Sequence, residues 1–288
     1  MNEAVARMLE RYRCRTEADY KNALIEIMQE VALLGLWRAK FFEHAAFYGG
    51  TSLRILYHLD RFSEDLDFSL LKPQPKFDLN PYLNAVQAEL HGMGFNVSVE
   101  TRKKKIETAT ESAFIKTGTK ESLLKIDVPK EISQRLQRNA VLEIKLEVDT
   151  DPPAGFQTEA KTLIQPIPFA VNTFAQPDLF AGKLHAILQR KWKTRVKGRD
   201  YFDFIWYISQ NIPVRLGHLE QRLRQTEGWK GKKPLTRKAL NELLKRKFSE
   251  VNIELAKGDV INFIKDKDAV NLWSAEFFTL LLSRLKTI

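Results

Sequence analysis

Residues 49–70 read GGTSLRILYHLDRFSEDLDFSL, and the reading of this stretch decides the fold. Its approach, AAFYGG at 45–50, is short, apolar and closed by two glycines, which predicts a strand running into a tight turn. TSLRILYHL then predicts a helix with Thr51 as N-cap and Leu53, Leu56 and Tyr57 on one face. DLDFSLL alternates polar and apolar residues and predicts a second strand. On a strand, positions i and i+2 share a face, so Asp65 and Asp67 lie about 6.6 Å apart along the chain while Leu66 and Phe68 turn to the core. That spacing suits two divalent ions about 3.5–4 Å apart, the arrangement used for in-line phosphoryl transfer. Magnesium is bound by a few carboxylates plus substrate oxygens. Two acids at a strand end also read as plain solvated surface. Gly49, Gly50, Thr51 and Ser52 stand between strand and helix, where free backbone N–H groups and the helix dipole attract phosphate. A turn needing a positive φ would use the same glycines.

Working outward, PYLNAVQAELHGMG predicts a helix stopped by glycine, and FNVSVETR and ESAFIKTG predict strands. VLEIKLEVD is the clearest alternation: Leu142, Ile144, Leu146 and Val148 face one way, and Glu143, Lys145, Glu147 and Asp149 the other. It offers a third carboxylate, Glu147, with Asp149 as the alternate. Lys145 stands between Glu143 and Glu147, so a charge-paired exposed face fits the same residues. Upstream, residues 3–40 read as helical, with Leu24, Ile27, Met28, Val31 and Leu34 at helix spacing. Downstream, a proline-rich connection (DPPAGF, QPIPF) leads into PDLFAGKLHAILQR, GRDYFDFIWYIS and a helical remainder. Strands mixed with helices up to about residue 175, followed by helices, define an α+β protein with a helical C-terminal half. The expected domains are 1–175 and 176–288.

Composition narrows the class. With 288 residues, 44% hydrophobic and 28% charged, the chain has an ordinary globular make-up and excludes a fibre or a polytopic membrane protein. No run approaches the ~20 apolar residues that span a bilayer, and the start, MNEAVARMLERYRCR, has no apolar secretory stretch. The single cysteine, Cys14, argues against disulfides and thiolate zinc sites, so the chain is expected to be cytoplasmic with no membrane partner. The five histidines form no metal-ligand pattern.

Net charge is +10, unevenly spread. Residues 190–199 hold six bases and no acid, and residues 230–247 hold eight bases and one acid. Together they carry +13, leaving −3 on the other 260 residues. Basic patches on a near-neutral body are the footprint of a polyanion partner, RNA, DNA or nucleotide phosphate. Trp192, inside the first patch, could stack on a base. Trp206, with Phe202 and Ile205, reads as core.

Taken together, the stretch 49–70, then LEIKLEVDTDPP (142–153), then LFAGKLHAILQRKWKTRVKGRDYFDFIWYI (179–208) resemble, in order and character, the AbiEii/AbiGii-type nucleotidyltransferase toxins of the DNA polymerase β-like superfamily. The resemblance covers roughly residues 40–210. It implies a polymerase β-like core with a mixed sheet, completed by the helical C-terminal half. It implies transfer of a nucleotide monophosphate from an NTP, with Mg²⁺, to an acceptor; for characterised relatives this is the 3′ end of tRNA. A cognate antitoxin is the implied partner. Carried onto matching positions, Asp65 and Asp67 become metal ligands with Glu147, Ser52 a triphosphate contact, and Lys183 and Asp200 the later catalytic pair. Without the resemblance, Lys183 is an amphipathic-helix lysine, and Asp200 and Asp203 are acids favoured by a helix N-terminus. An antibiotic-modifying enzyme, or an inactive nucleic-acid-binding protein of the same fold, would share much of this pattern.

Overall fold

The alternation VLEIKLEVD becomes β5 (Val141–Asp149), whose Leu142, Ile144, Leu146 and Val148 are all buried. Each such side chain contributes about 1.5–3 kcal/mol when fully removed from water. The computed structural model describes residues 3–101, 109–118, 141–191 and 195–288. The chain divides into two compact units. The first comprises Met1–His58, Phe62–Pro152 and Glu159–Thr173; the second comprises Leu59–Arg61, Pro153–Thr158 and Phe174–Ile288.

The first unit is built on a mixed seven-stranded sheet. Its strands are β1 (Ala45–Tyr48), β2 (Leu66–Leu70), β3 (Ser98–Thr101), β4 (Thr110–Gly118), β5, β6 (Thr158–Leu163) and β7 (Phe169–Phe174), in the order β3-β4-β5-β2-β1-β7-β6. β1 runs antiparallel to β2 and parallel to β7, while β2 runs parallel to β5. The helices of this unit are α1 (Glu3–Glu10), α2 (Glu17–Arg38), α3 (Gly49–Tyr57) and α4 (Asn80–Gly92). The α2 residues Leu24, Ile27, Met28, Val31 and Leu34 are all at 0% exposure and join Phe47, Phe68 and the inner face of β5 in one core.

Three details differ from the sequence expectation. Residues 3–40 do not form one helix, because α1 ends at Glu10 and α2 starts afresh behind a capping box. There Thr16 Oγ1 accepts from the Asp19 amide at 3.2 Å, and the Asp19 carboxylate accepts from the Thr16 amide at 2.8 Å. Thr51 is not an N-cap: α3 begins two residues earlier, with Tyr48 in the cap position and no capping side chain. The proline-rich connection contains strands β6 and β7; β6 alternates only between half-buried and exposed positions and so lacks the apolar stripe of a core strand.

The second unit is helical, with α5 (Gln176–Gln189), α6 (Gly198–Ser209), α7 (Leu216–Gln225), α8 (Arg237–Glu250), α9 (Ile253–Val260) and α10 (Ala275–Leu281). Its core is aromatic. Phe180 stacks on Tyr207 at 4.3 Å between ring centroids, and Tyr201, Phe204, Phe248 and Phe278 pack on one another. The inward face of α6 is therefore Tyr201, Phe204, Tyr207 and Ile208, whereas Phe202, Ile205 and Trp206 are only half-buried, a correction to the expected stripe. Trp192 lies outside the described residues. Among the described residues, no helix is long and apolar enough to cross a membrane.

Candidate active site

In the first unit, the end of β1, the start of α3 and the entry to β2 converge around the paired acids. The backbone of Gly49 has φ +84°, and an added Cβ there would lie 2.3 Å from Asp67 Oδ2. Glycine is thus required twice, by the left-handed backbone and by the carboxylate occupying the Cβ position. The Thr51 hydroxyl donates to the Asp65 carbonyl, tying the first turn of α3 to the residue before β2. Gln29, fully buried on α2, donates from Nε2 to the carbonyls of Ser63 and Glu64 at 3.0 Å each. The backbone entering β2 is thus held at Ser63, Glu64 and Asp65. Sequence reasoning passed over Gln29, because a lone glutamine in a helical run carries no local signal.

The parallel pairing of β2 with β5 sets Asp67 beside Glu147 and Ser69 beside Asp149. Neighbouring strands stand about 4.8 Å apart, so Glu147 is the β5 carboxylate level with Asp67. Asp149 lies two positions further on and accepts the Asp151 amide at 3.1 Å. Glu147 itself pairs with Lys145 at 2.7 Å, and Lys116 pairs with Glu143 at 3.6 Å, so this face is also charge-paired. Gly50 follows Gly49 in the first turn of α3. Ser52 is fully buried and its hydroxyl donates to the Gly49 carbonyl at 2.9 Å. Beside Asp65 opens a cleft of about 520 Å³ lined by Lys21 and Asn22 of α2, Phe114 of β4, and Glu143 and Lys145 of β5.

In the second unit, Lys183 of α5 reaches both acids of α6, with Nζ 2.7 Å from Asp200 Oδ1 and 2.7 Å from Asp203 Oδ2. Arg190 donates to the other Asp200 oxygen. Arg61 grips Asp203 with two hydrogen bonds of 2.6 Å. Asp203 is at 0% exposure and Asp200 at 2%, so both helix-start acids are buried within ion pairs. Burial alone would push these carboxyls up. Lys183 and Arg190 hold Asp200, and Arg61 with Lys183 hold Asp203, below the ordinary carboxylate range. Arg199 lies over the Phe263 ring, 3.9 Å from its centroid. His185 Nε2 shares a hydrogen bond with the Thr226 hydroxyl at 2.9 Å, and burial pushes its imidazole down to about 4. It serves packing.

Arg61 and Arg190 are members of this network that the sequence reading did not single out. Arg61 stands between α3 and β2, 142 positions from its partner. Arg190 was visible only as one base of a basic run.

Among the described residues, no three His, Cys, Asp or Glu side chains form a ready-made metal cage. An open magnesium site does not need one, since substrate oxygens and water complete its shell. The half-buried acids Asp65 and Asp67, with Glu147 in register, are hard oxygen donors suited to that ion. The missing Cβ of Gly49 is the space into which the Asp67 carboxylate packs.

Comparison with known proteins agrees with this architecture. The family model described as "Nucleotidyl transferase AbiEii toxin, Type IV TA system" matches residues 31–277. The crystal structure of JHP933 from Helicobacter pylori is similar at TM-score 0.50 and 19% identity, covering 91% of this chain and 88% of that one. A second H. pylori structure, of a protein named as a candidate nucleotidyltransferase, gives TM-score 0.48 and 18% identity, with 88% of each chain covered. No curated protein matches. The seven-stranded mixed sheet with its flanking helices is an α+β nucleotidyltransferase fold, and the chain belongs to the AbiEii nucleotidyl transferase toxin family, a nucleotidyltransferase of toxin–antitoxin type.

Proposed function

We propose that the enzyme moves a nucleotide monophosphate from an NTP to the 3′ end of tRNA, as the toxin partner of a cognate antitoxin. The observation that carries the reading is the register of Asp67 with Glu147, next to an Asp67 carboxylate packed where Gly49 has no Cβ. The acceptor 3′-hydroxyl oxygen attacks the α-phosphorus and gives up its proton to water, the bond from that phosphorus to the bridging oxygen breaks, and pyrophosphate leaves with the electron pair. Asp65, Asp67 and Glu147 are the residues that would hold Mg²⁺, which supplies charge neutralisation on the transferred group when bound. The backbone at Gly49, Gly50 and Thr51, at the uncapped start of α3, takes phosphate oxygens. Ser52 supports that turn through its bond to Gly49 rather than pointing a free hydroxyl outward. Lys183 offsets phosphate charge, and Asp200 orients it through the 2.7 Å contact.

An RNA acceptor is favoured over a small drug by the basic segment 230–247, in which Lys232, Lys233 and Lys238 are exposed. The test is to incubate the protein with total tRNA, Mg²⁺ and each labelled NTP separately. Label should appear on RNA with the wild type and vanish with Asp65→Asn and Asp67→Asn. A folded Asp65→Asn, Asp67→Asn double variant that still labels RNA would end the reading.

A further inference from the structure

We propose that the cleft beside Asp65 seats the 3′-terminal nucleoside of the RNA acceptor, with its base against Phe114 and Asn22. The inference rests on the reading of the protein as an enzyme that extends an RNA 3′ end, and the direction of attack carries it. β1 ends with Tyr48 level with Asp67 and passes directly into α3, whose uncapped start takes the triphosphate in that reading. The pyrophosphate therefore departs on the β1 side of β2. An in-line displacement puts the attacking oxygen opposite the leaving one. With the strands in the order β4-β5-β2-β1, the acceptor is left the side of β5 and β4. The cleft lies there: it measures about 520 Å³, borders Asp65, and takes its walls from Phe114 of β4, Glu143 and Lys145 of β5, and the first turns of α2.

The register gives the cleft its length. Leu66 pairs with Leu146, so Asp65 falls in line with Lys145, and Phe114 stands opposite Lys145 on the next strand. Phe114 is thus two strand widths from Asp65, about 10 Å. One nucleoside covers that reach from its 3′ oxygen to the far edge of its base. The floor is apolar: Ile25 and Phe114 are half-buried, and Val141 is 56% exposed. An unstacked base gains by covering such a surface, above all an aromatic ring. Asn22 is half-buried in the wall, and its side-chain amide makes no hydrogen bond among the described residues. It offers a donor and an acceptor together, the combination that reads a base edge. The cations of the cleft are already claimed, Lys21 by Glu17 at 2.5 Å and Lys145 by Glu147 at 2.7 Å. With those lysines paired and Glu143 in the wall, the cleft suits an uncharged base and ribose better than a phosphate.

The experiment measures binding of a short single-stranded RNA, fluorescent at its 5′ end, to the full chain by anisotropy, with no NTP present. Two RNAs are compared that differ only in the last residue: one carries its base, the other an abasic ribose with the same 3′-hydroxyl. Their phosphates are equal in number, so the ratio of the two Kd values isolates the terminal base. Wild type should favour the base-bearing RNA at least ~5-fold, the low end for a base stacked on an aromatic ring. Phe114→Leu keeps an apolar side chain but loses the ring, and should bring the ratio close to unity. Phe114→Trp should keep it at the wild-type level or above. Asn22→Ala should lower it at least ~2-fold, the scale of one hydrogen bond. Circular dichroism checks each fold, and if Phe114→Leu does not fold, Asn22→Ala alone decides. A ratio near unity in wild type, or one that neither folded variant lowers, overturns the proposal, and an NTP titration of the same variants then shows whether the incoming base sits there instead. Base-dependent RNA binding without label transfer would retire the transfer reading and keep this site. Label transfer with a ratio indifferent to both variants would do the reverse.

Discussion

Arg61 and Asp203 form a fully desolvated ion pair, joined by two hydrogen bonds of 2.6 Å across 142 positions of sequence. The pair sits beneath Lys183, whose Nζ touches the same carboxylate. Removing one partner of such a pair leaves a buried charge uncompensated, which costs about 3–5 kcal/mol. Asp203→Asn should therefore lower the chemical-denaturation stability by that amount, against the ~0.3–1 kcal/mol of a merely dipole-favoured acid. Because Arg61 and Lys183 hold the Asp203 carboxyl below its ordinary range, its contribution is present above the unfolded pKa and lost as pH falls through the folded one. The difference in stability between wild type and the asparagine variant should then be full at neutral pH and shrink in acid below about pH 4. A difference unchanged down to the acid limit would remove the ion pair from the account.

The sheet's centre was legible in the sequence because its signals are local. VLEIKLEVD needs only period-two alternation to become β5, and DLDFSLL needs only its alternation to become β2, with Asp67 on the strand and Asp65 immediately before it. What was not legible depends on contacts far apart in the chain. Neither Arg61 nor Gln29 carries a local mark, yet each meets partners at least 34 positions away. Asp203 was misjudged for the same reason: a helix start explains an acid by itself, and only packing showed what covers it. β6 stayed hidden because a strand with no buried position has no apolar stripe to read.

Gly49 gives a sharper test of the site than alanine scanning of the acids. Gly49→Ala places a Cβ 2.3 Å from Asp67 Oδ2 and forces a side chain onto a backbone at φ +84°. The backbone term alone costs about 1–2 kcal/mol. The fold should survive while Asp67 is displaced, so label transfer should fall at least ~100-fold, the scale of a misplaced reacting group. Activity near wild type in a folded Gly49→Ala protein would detach Asp67 from the chemistry.

The basic segment 230–247 is not uniform. Lys230, Lys245 and Arg246 are paired with Glu227, Glu242 and Glu250, at 3.1, 3.1 and 3.9 Å. Lys232, Lys233 and Lys238 are exposed, and among the described residues no carboxylate pairs with them. These three are the ones to substitute. Their triple replacement by Gln should weaken RNA binding and flatten the log–log salt dependence by roughly 2–3, from about 0.7–0.9 per phosphate contact. NTP binding should be nearly unchanged. An unaltered salt slope would return the segment to ordinary solvated surface.

Lys183, Asp200 and Asp203 separate positioning from support. Lys183 bridges both acids at 2.7 Å, but the two are not equivalent. Asp203 is closed in by Arg61, whereas Asp200 is shared with Arg190, whose side chain is 34% exposed and can find water if its partner goes. Asp200→Asn should therefore cost clearly less stability than Asp203→Asn. Under the catalytic reading it should nonetheless reduce transfer by at least ~100-fold, the scale of losing a positioned acid–base or electrostatic group. Lys183→Ala should match it, and the Lys183→Ala, Asp200→Asn double variant should be scarcely worse than either single one, since groups that act as one unit are non-additive. Transfer rates for the two single variants and the double, each divided by the folded fraction, close the cycle. If the corrected losses multiply, Lys183 and Asp200 act separately. If they vanish once folding is accounted for, the network only holds the helical unit together, and the chemistry belongs to Asp65, Asp67 and Glu147.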